Sequence, residues 1–244
     1  MSIQPYTASV SRVRDLTHDV RELEMVLVEP KDLSFKPGQF ISFEVPREGF
    51  PAPVMRPYSI ASPPAQQGRV TLVFNLVPNG PGSSYLFSLR EGDRTTFKGP
   101  AGSFYLKDDG TRDLLFVATG TGIAPIRSMI LAQLERRTSQ AVTLFWGLRS
   151  QRDLYYQEEF QSLARQHPSF FFVTTLSKPE AGWTGVTGRV TALVQDRITS
   201  VRNLAAYLCG NGGMIQEVTA LVQACGLCPI HKEKYYDDRG EPTD

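Results

Sequence analysis

The chain has 244 residues, of which 41% are apolar and 21% charged, and its formal net charge is +1. This is the composition of a folded protein long enough for two domains, and it lacks the strong positive charge that binding to nucleic acid favours. Since no stretch approaches the roughly 18 apolar residues of a membrane span and the N-terminus lacks the pattern of a secretory signal, we expect a cytoplasmic protein without a membrane span.

Residues 1–110 have the pattern of short β-strands. Turn formers such as KPGQ and PPAQQG separate the segments, and a helix is expected only over SSYLFSLR, between the fifth and sixth strands. The six predicted strands are TASVSRVRDL, VRELEMVLV, QFISFEV, VMRPYSIA, RVTLVFNLV and DRTTFKGP. Short strands at this spacing predict an antiparallel β-barrel or sandwich.

The fourth of these strands carries an unusual set of side chains. Because side chains alternate faces along a strand, Arg56 and Tyr58 share one face, and Pro57 and Ser59 lie on the other. A cation and an aromatic ring are therefore expected side by side.

Residues 111–244 alternate between apolar strands and helical segments. The five predicted strands are LLFVATG, AVTLFWG, FFFVTTL, NLAAYLCG and CPIHKEKYY. Near-continuous apolar strands are typical of a buried parallel sheet. The pattern predicts a doubly wound five-stranded sheet, whose ligands bind at the carboxyl ends of the strands.

Two of these predicted strands end in glycine-rich loops. GTGIAP, residues 120–125, follows the first strand and is typical either of a loop that receives a pyrophosphate at a helix N-terminus or of a tight turn. CGNGGM, residues 209–214, follows the fourth strand, where Cys209 is either part of a ligand site or a small packed residue. We expect the two loops to meet in one crevice.

The cysteines argue against a metal centre. Cys209, Cys225 and Cys228 are too few for a disulfide framework, which agrees with a reducing compartment. Cys225 and Cys228 form a single CxxC pair, which lacks the further ligands that zinc or an iron–sulfur cluster needs and is interpreted as structural, with a redox role as the alternative. No bound metal is expected.

Five motifs together resemble the ferredoxin–NAD(P)+ reductase family. They are RPYS at 56–59, GPGS at 80–83, GTGIAP at 120–125, CGNGGM at 209–214 and EKYY at 233–236. They occur in the family's order and span nearly the whole chain. The resemblance implies an FAD-binding antiparallel β-barrel over residues 1–110, followed by an α/β domain over 111–244 that binds a nicotinamide nucleotide.

The resemblance also implies an FAD site in the first domain. Arg56 would meet the FAD pyrophosphate, Tyr58 would stack on the flavin, and Ser59 would direct its hydroxyl to N5, where hydride arrives. The remaining candidates are Pro57, Gly80, Gly82, Ser83 and Ser84. Two structural alternatives stay open. Arg56 and Tyr58 are also typical of an arginine at the barrel rim beside an aromatic core residue, and the Gly80–Ser83 loop is also typical of a hairpin turn capped by a serine.

In the second domain, the resemblance implies a site for the nicotinamide nucleotide. Its phosphates would meet Gly120, Thr121 and Gly122, with Pro125 in the helix that follows. Cys209 would lie beside the nicotinamide, in a loop that includes Gly210 and Met214, and Glu233 and Tyr235 would match the family's C-terminal acid and aromatic. Because the chain continues through YDDRGEPTD, either Tyr235 or Tyr236 stacks on the flavin, or these tyrosines only edge the sheet. The candidate catalytic residues are Ser59, Cys209, Glu233 and Tyr235.

The choice between NADH and NADPH depends on cations near the adenosine ribose. Four candidates follow the second and third strands, namely Arg149, Arg152, Lys178 and Arg189. LSKPEAGWTGVTG, residues 176–188, resembles the NADH-using oxygenase reductases, whereas CGNGGM is nearer the ferredoxin-reductase branch. The balance slightly favours NADH.

We therefore expect an oxidoreductase that passes electrons between NAD(P)H and a separate ferredoxin or flavodoxin, including as the reductase of an oxygenase system. An internal plant-type cluster is excluded because three cysteines cannot supply its four ligands. Two alternatives stay open. They are a flavin reductase that releases reduced flavin and an FAD-carrying subunit of a larger electron-transfer complex.

Overall fold

The computed structural model describes residues 3–46, 52–108, 110–136 and 138–236. The chain divides into two compact units, of which the first is Met1–Leu106 with Arg127–Ala132 and the second is Lys107–Ile126 with Gln133–Asp244. Each unit has its own hydrophobic core. Across the described ranges, no helix combines the length and the apolar character needed to cross a membrane.

The first unit is built on an antiparallel sheet of six strands. They are β1 (Gln4–Asp15), β2 (Val20–Glu29), β3 (Phe40–Val45), β4 (Val54–Ser59), β5 (Arg69–Asn75) and β6 (Arg94–Ala101). The strands pair in the order β4-β3-β6-β1-β2-β5, and a bridge between Ile60 and Leu72 brings the two edges of the sheet together. The predicted antiparallel barrel is confirmed.

Alternation along these strands fills the interior of the barrel. Leu23, Met25 and Leu27 of β2 are at most 6% exposed and point into the core, as the period of two requires. The predicted helix, α1 (Pro81–Ser88), lies between β5 and β6. It begins two residues earlier than predicted, because Pro81 fits the first turn of a helix, where a missing N–H costs nothing.

The second unit is a parallel sheet with helices between its strands. Its strands are β7 (Asp113–Thr119), β8 (Val142–Leu148), β9 (Phe170–Leu176), β10 (Val186–Thr187), β11 (Leu204–Asn211) and β12 (Ile230–Tyr236). Its helices are α2 (Ile123–Glu135), α3 (Gln157–Gln166), α4 (Val190–Arg197) and α5 (Gly212–Ala224). The doubly wound α/β class is confirmed.

The sheet of the second unit has six strands, one more than predicted. The extra strand is β10, whose two residues are both exposed and are too few to show any hydrophobic period. The order is β10-β9-β8-β7-β11-β12, so the strand order reverses between β7 and β11. The carboxyl ends of these two strands are where a doubly wound sheet binds its ligands.

Candidate cofactor and nucleotide sites

Strand β4 holds the first candidate residues on one face. The ring of Tyr58 packs edge-on against Phe43 and Phe74, with centroids 5.9 and 5.4 Å away. Burial raises the pKa of Tyr58, and the nearby charge of Arg56 only partly offsets this shift. Tyr58 therefore presents a partly exposed ring in a fixed orientation, with a protonated hydroxyl.

Gly82, in the first turn of α1, lies against the same two side chains. A methyl group at this position would come within 2.5 Å of the Tyr58 hydroxyl oxygen and 2.9 Å of the Arg56 side chain. Only glycine lets the start of α1 approach β4 this closely. The RPYS and GPGS motifs therefore lie in contact, and the side chains of Arg56 and Tyr58 stand beside a helix N-terminus.

The two serines of this loop differ in their surroundings. The Ser83 hydroxyl accepts the Val77 N–H at 3.0 Å and lies 3.2 Å from the Gly80 carbonyl oxygen, so it stabilises the loop itself. Ser84 is exposed, and its N–H donates to the Gly80 carbonyl at 2.9 Å. What Ser83 offers to an anion is its backbone N–H, because the first N–H groups of a helix have no acceptor within it.

Ser59 and Pro57 complete the β4 segment. Ser59 is the last residue of the strand, is 7% exposed, and pairs in register with Phe40 of β3. Pro57 is exposed on the face opposite Arg56. Of the β4 candidates on that second face, only Ser59 is enclosed.

The two glycine loops of the second unit are in direct contact. A methyl group on Gly122 would overlap the Cys209 carbonyl and lie 2.9 Å from Cα of Gly210. Gly210 has a φ of +134°, and a methyl group there would overlap the Thr119 hydroxyl. The Asn211 N–H donates to the same hydroxyl at 2.9 Å. These contacts confirm that the ends of β7 and β11 form one crevice floor, at which glycine is required twice.

Cys209 is a buried residue near the end of β11, beneath the two glycine loops. Its thiol is fully buried, and its pKa is raised well above the usual range by burial and, to a lesser extent, by the charge of Glu233, against a hydrogen bond from Tyr235 that lowers it. Cys209 lies opposite Glu233 in the register between β11 and β12. The structure thus brings together three of the predicted catalytic residues and keeps the thiol neutral, so Cys209 contributes shape and packing and is not a base.

Two further candidates have mainly structural surroundings. Met214 is 6% exposed within the core of the second unit, and its N–H donates to the Asn211 side chain, which caps α5, at 3.0 Å. Pro125 is the third residue of α2 and is buried, in the first turn as predicted. The side chain of Tyr236 lies outside the described residues.

The candidate cations lie at the carboxyl end of the sheet. Arg149 follows β8 and Lys178 follows β9, and the N–H of Lys178 donates to the Arg149 carbonyl at 2.7 Å, which joins the two loops. Arg189 stands at the N-terminus of α4, and Arg152 lies in the turn after β8. All four side chains are exposed, so they are available to a charged ligand.

Sequence reasoning missed Thr119, Asn211, Trp146 and Tyr155. Thr119 and Asn211 join the two loops, and the side chains of Trp146 and Tyr155 both donate to the Gly120 carbonyl. A threonine at the end of an apolar strand and an asparagine between glycines are weak signals. The two aromatics looked like ordinary core residues.

Comparison with known proteins identifies the family. Residues 7–105 match the family described as oxidoreductase FAD-binding domain, and residues 116–220 match oxidoreductase NAD-binding domain. The chain is 32% identical over 231 residues to the "naphthalene 1,2-dioxygenase/salicylate 5-hydroxylase systems, ferredoxin–NAD(P)(+), reductase component" of a Ralstonia species, an alignment that covers 93% of this chain and 68% of that protein. The chain belongs to the ferredoxin–NAD(P)+ reductase family. It is an oxidoreductase with an FAD-binding and a nicotinamide nucleotide-binding domain.

Two further proteins are similar to the chain to the same degree. It is 32% identical over 240 residues to the phenol hydroxylase P5 protein of Acinetobacter pittii, covering 96% of this chain and 66% of that protein. The crystal structure of the Amycolatopsis cytochrome P450 reductase GcoB superposes with a TM-score of 0.84 at 32% identity, covering 95% of this chain and 70% of that one. The chain spans about two thirds of the length of these relatives.

Proposed function

We propose that this protein transfers hydride from NAD(P)H to a bound FAD and passes the electrons singly to a separate ferredoxin or flavodoxin, as the reductase of an oxygenase system. The observation that carries the proposal is the contact of Gly82 with both Arg56 and Tyr58, which puts a cation, an aromatic face and a helix N-terminus in one place. The reductase component of the naphthalene dioxygenase/salicylate 5-hydroxylase systems and the phenol hydroxylase P5 protein, both relatives of this chain, support the oxygenase role.

The residues of the first unit fit FAD. The guanidinium of Arg56 offers fixed paired donors to a pyrophosphate, and the N–H groups at the start of α1 add donors of the same kind. Tyr58 offers a flat apolar face, held by Phe43 and Phe74, against which a flavin can stack. Ser59 offers a hydroxyl in an enclosed position, suited to a hydrogen bond at flavin N5. When bound, FAD supplies a carrier that accepts hydride and releases electrons one at a time.

The residues of the second unit fit a nicotinamide nucleotide. The loop of Gly120, Thr121 and Gly122 leads into α2, so its backbone can receive the phosphates at a helix N-terminus. Cys209 is a small neutral side chain buried directly beneath the end of β11, where it would support the surface on which the nicotinamide lies. Tyr235 of β12 hydrogen-bonds that thiol, and Glu233 lies opposite Cys209 in the register of the two strands.

The three cysteines of these 244 residues do not form the iron–sulfur cluster of the proposed electron acceptor. Cys209 is buried beside Glu233, Cys225 is exposed and Cys228 is half-buried, and all three are free thiols. They cannot together hold a four-cysteine cluster. Free thiols also agree with a reducing compartment such as the cytoplasm, where we place the protein.

The purified protein is expected to carry about one FAD per chain, released by denaturation as FAD and not as FMN or riboflavin. Retention through gel filtration would distinguish the proposal from a flavin reductase, which gives up its flavin as product. Stoichiometric FMN, or no flavin after reconstitution with FAD, would contradict the proposal.

Arg56→Ala is expected to weaken FAD binding by about 10-fold to 100-fold, the cost of losing a charge-assisted hydrogen bond. Arg94→Ala is the matched control, because Arg94 is an exposed arginine of the same sheet with no proposed contact to FAD. Fluorescence titration of the apoprotein measures both. Equal affinities in the two variants would show that Arg56 does not bind the pyrophosphate.

Steady-state assays are expected to give a higher kcat/KM for NADH than for NADPH, because Ser177 and Lys178 stand where a strict 2'-phosphate site would be more basic, while Arg149 and Arg189 permit some use of NADPH. Arg189→Ala is expected to lower kcat/KM for NADPH by about 10-fold and to leave that for NADH unchanged. Arg165→Ala, an exposed arginine in the last turn of α3, serves as the control. A strong NADPH preference of the parent would refute the choice of nucleotide.

A further inference from the structure

Two aromatic side chains converge on a single backbone carbonyl in the second unit. Nε1–H of Trp146 and the hydroxyl of Tyr155 each donate to the Gly120 carbonyl oxygen at 3.1 Å. The Ile123 N–H donates to the same oxygen at the start of α2. Trp146 lies in β8 and Tyr155 lies just before α3. Both donors are therefore distant in sequence from the Gly120–Gly122 loop that they bind.

The aromatic pair, Trp146 and Tyr155, is itself rigidly packed. Trp146 is fully buried and Tyr155 is 6% exposed. Their rings meet at right angles, with centroids 4.7 Å apart, and Phe160 packs edge-on against Trp146 at 6.0 Å. Burial and packing of this kind leave the two donors little freedom to move.

Fixing the Gly120 carbonyl also fixes the N–H of the next residue. The Gly120–Thr121 peptide is planar and trans, so its N–H points opposite to its C=O, away from the aromatic pair. Gly120 has a φ of +52°, and glycine alone holds such a backbone only loosely because it tolerates many other conformations. The two side-chain donors therefore select one orientation of this peptide.

We propose that Trp146 and Tyr155 are positioning residues for the nicotinamide nucleotide. By holding the Gly120 carbonyl, they aim the Thr121 N–H and the start of α2 at the pyrophosphate, without touching the nucleotide themselves. The inference rests on the proposed binding of the phosphates at the Gly120–Gly122 loop. It adds to that proposal that the hydrogen bonds from Trp146 and Tyr155 to the loop raise the affinity for the nucleotide.

The test uses the FAD-loaded protein and its Tyr155→Phe variant, which keeps the ring and removes only the donor. KM for NADH is expected to rise about 3-fold to 10-fold, the effect of one hydrogen bond, while kcat at saturating NADH stays at the parent value. Trp146→Phe, which removes the other donor, is expected to change KM in the same direction. A synthetic hydride donor without phosphate, N-benzyl-dihydronicotinamide, is expected to reduce the FAD of Tyr155→Phe at the parent rate.

Tyr207→Phe is the matched control. Tyr207 is a buried tyrosine of the same unit, and its hydroxyl accepts the Lys107 N–H at 3.0 Å, a hydrogen bond to a different segment from the Gly120–Gly122 loop. An unchanged KM in Tyr155→Phe, an equal rise in Tyr207→Phe, or equal slowing with the synthetic donor would each overturn the inference. A parent protein that does not oxidise NADH would contradict the proposed function itself.

Discussion

Ser59→Ala and Cys209→Ala are each expected to slow the reduction of bound FAD by NADH by about 30-fold to 1,000-fold, which corresponds to about 2 to 4 kcal/mol of transition-state stabilisation. Ser59 is proposed to hydrogen-bond flavin N5, and Cys209 to position the nicotinamide. Neither residue is proposed to contact a pyrophosphate, so FAD content should stay at the parent value. Stopped-flow absorbance at saturating NADH measures the rate directly.

The controls for this pair are Ser88→Ala and Cys225→Ala, which change exposed residues of the first and second unit. The pKa of Cys209 is raised well above its usual range, so the thiol stays neutral at neutral pH and through mildly alkaline pH. The effect of Cys209→Ala should therefore not depend on pH in that range. If both variants retain FAD and reduce it at the parent rate, Ser59 and Cys209 are structural residues only.

Gly122→Ala is expected to lower kcat/KM for NADH by about 100-fold, the cost of displacing a positioned loop by about 1 Å. The added methyl group would overlap the Cys209 carbonyl, which is backbone held in the pairing of β11 with β7, so it cannot be accommodated by a side-chain rotation. The free energy of unfolding should also fall by about 1 to 3 kcal/mol.

Gly110→Ala provides the control for this substitution. Gly110 also lies in the second unit and has a φ of +60°, but nothing lies within 4 Å of an added methyl group. Gly110→Ala adds the backbone strain of an alanine at positive φ without the overlap, whereas Gly122, with a φ of −58°, gains the overlap without that strain. NADH titration and thermal unfolding separate the effects, and a Gly122→Ala variant with parental kcat/KM would show that the close approach of the loops is not needed for binding.

The sequence was sufficient for the features that depend on local patterns. Alternation along β4 put Arg56 and Tyr58 on one face, and the two glycine loops of the second domain were expected to meet, as Gly122 and Gly210 do in the structure. The doubly wound sheet followed from apolar runs that alternate with helices. These inferences need only the periodic pattern of side chains along a strand or helix, or the missing side chain of a glycine.

Features that depend on contacts between distant segments were not predictable in this way. The hydrogen bonds from Trp146 and Tyr155 to Gly120 cross 26 and 35 residues, and in the sequence both aromatics are indistinguishable from core residues. Met214 stands in a motif of the nucleotide half, yet its side chain faces the core, because that face of α5 packs on the sheet. The strand β10 was missed because two residues carry no period.

The proposed function requires that hydride pass from a nicotinamide nucleotide to FAD held by this chain. The most direct measurement is anaerobic stopped-flow reduction of the FAD-loaded protein by NADH, with and without deuterium at the transferred position. We expect complete bleaching of the flavin absorbance, one NADH oxidised per FAD, and a slower reaction with deuterium. A flavin that stays oxidised at saturating NADH, with FAD bound, would contradict the proposed function.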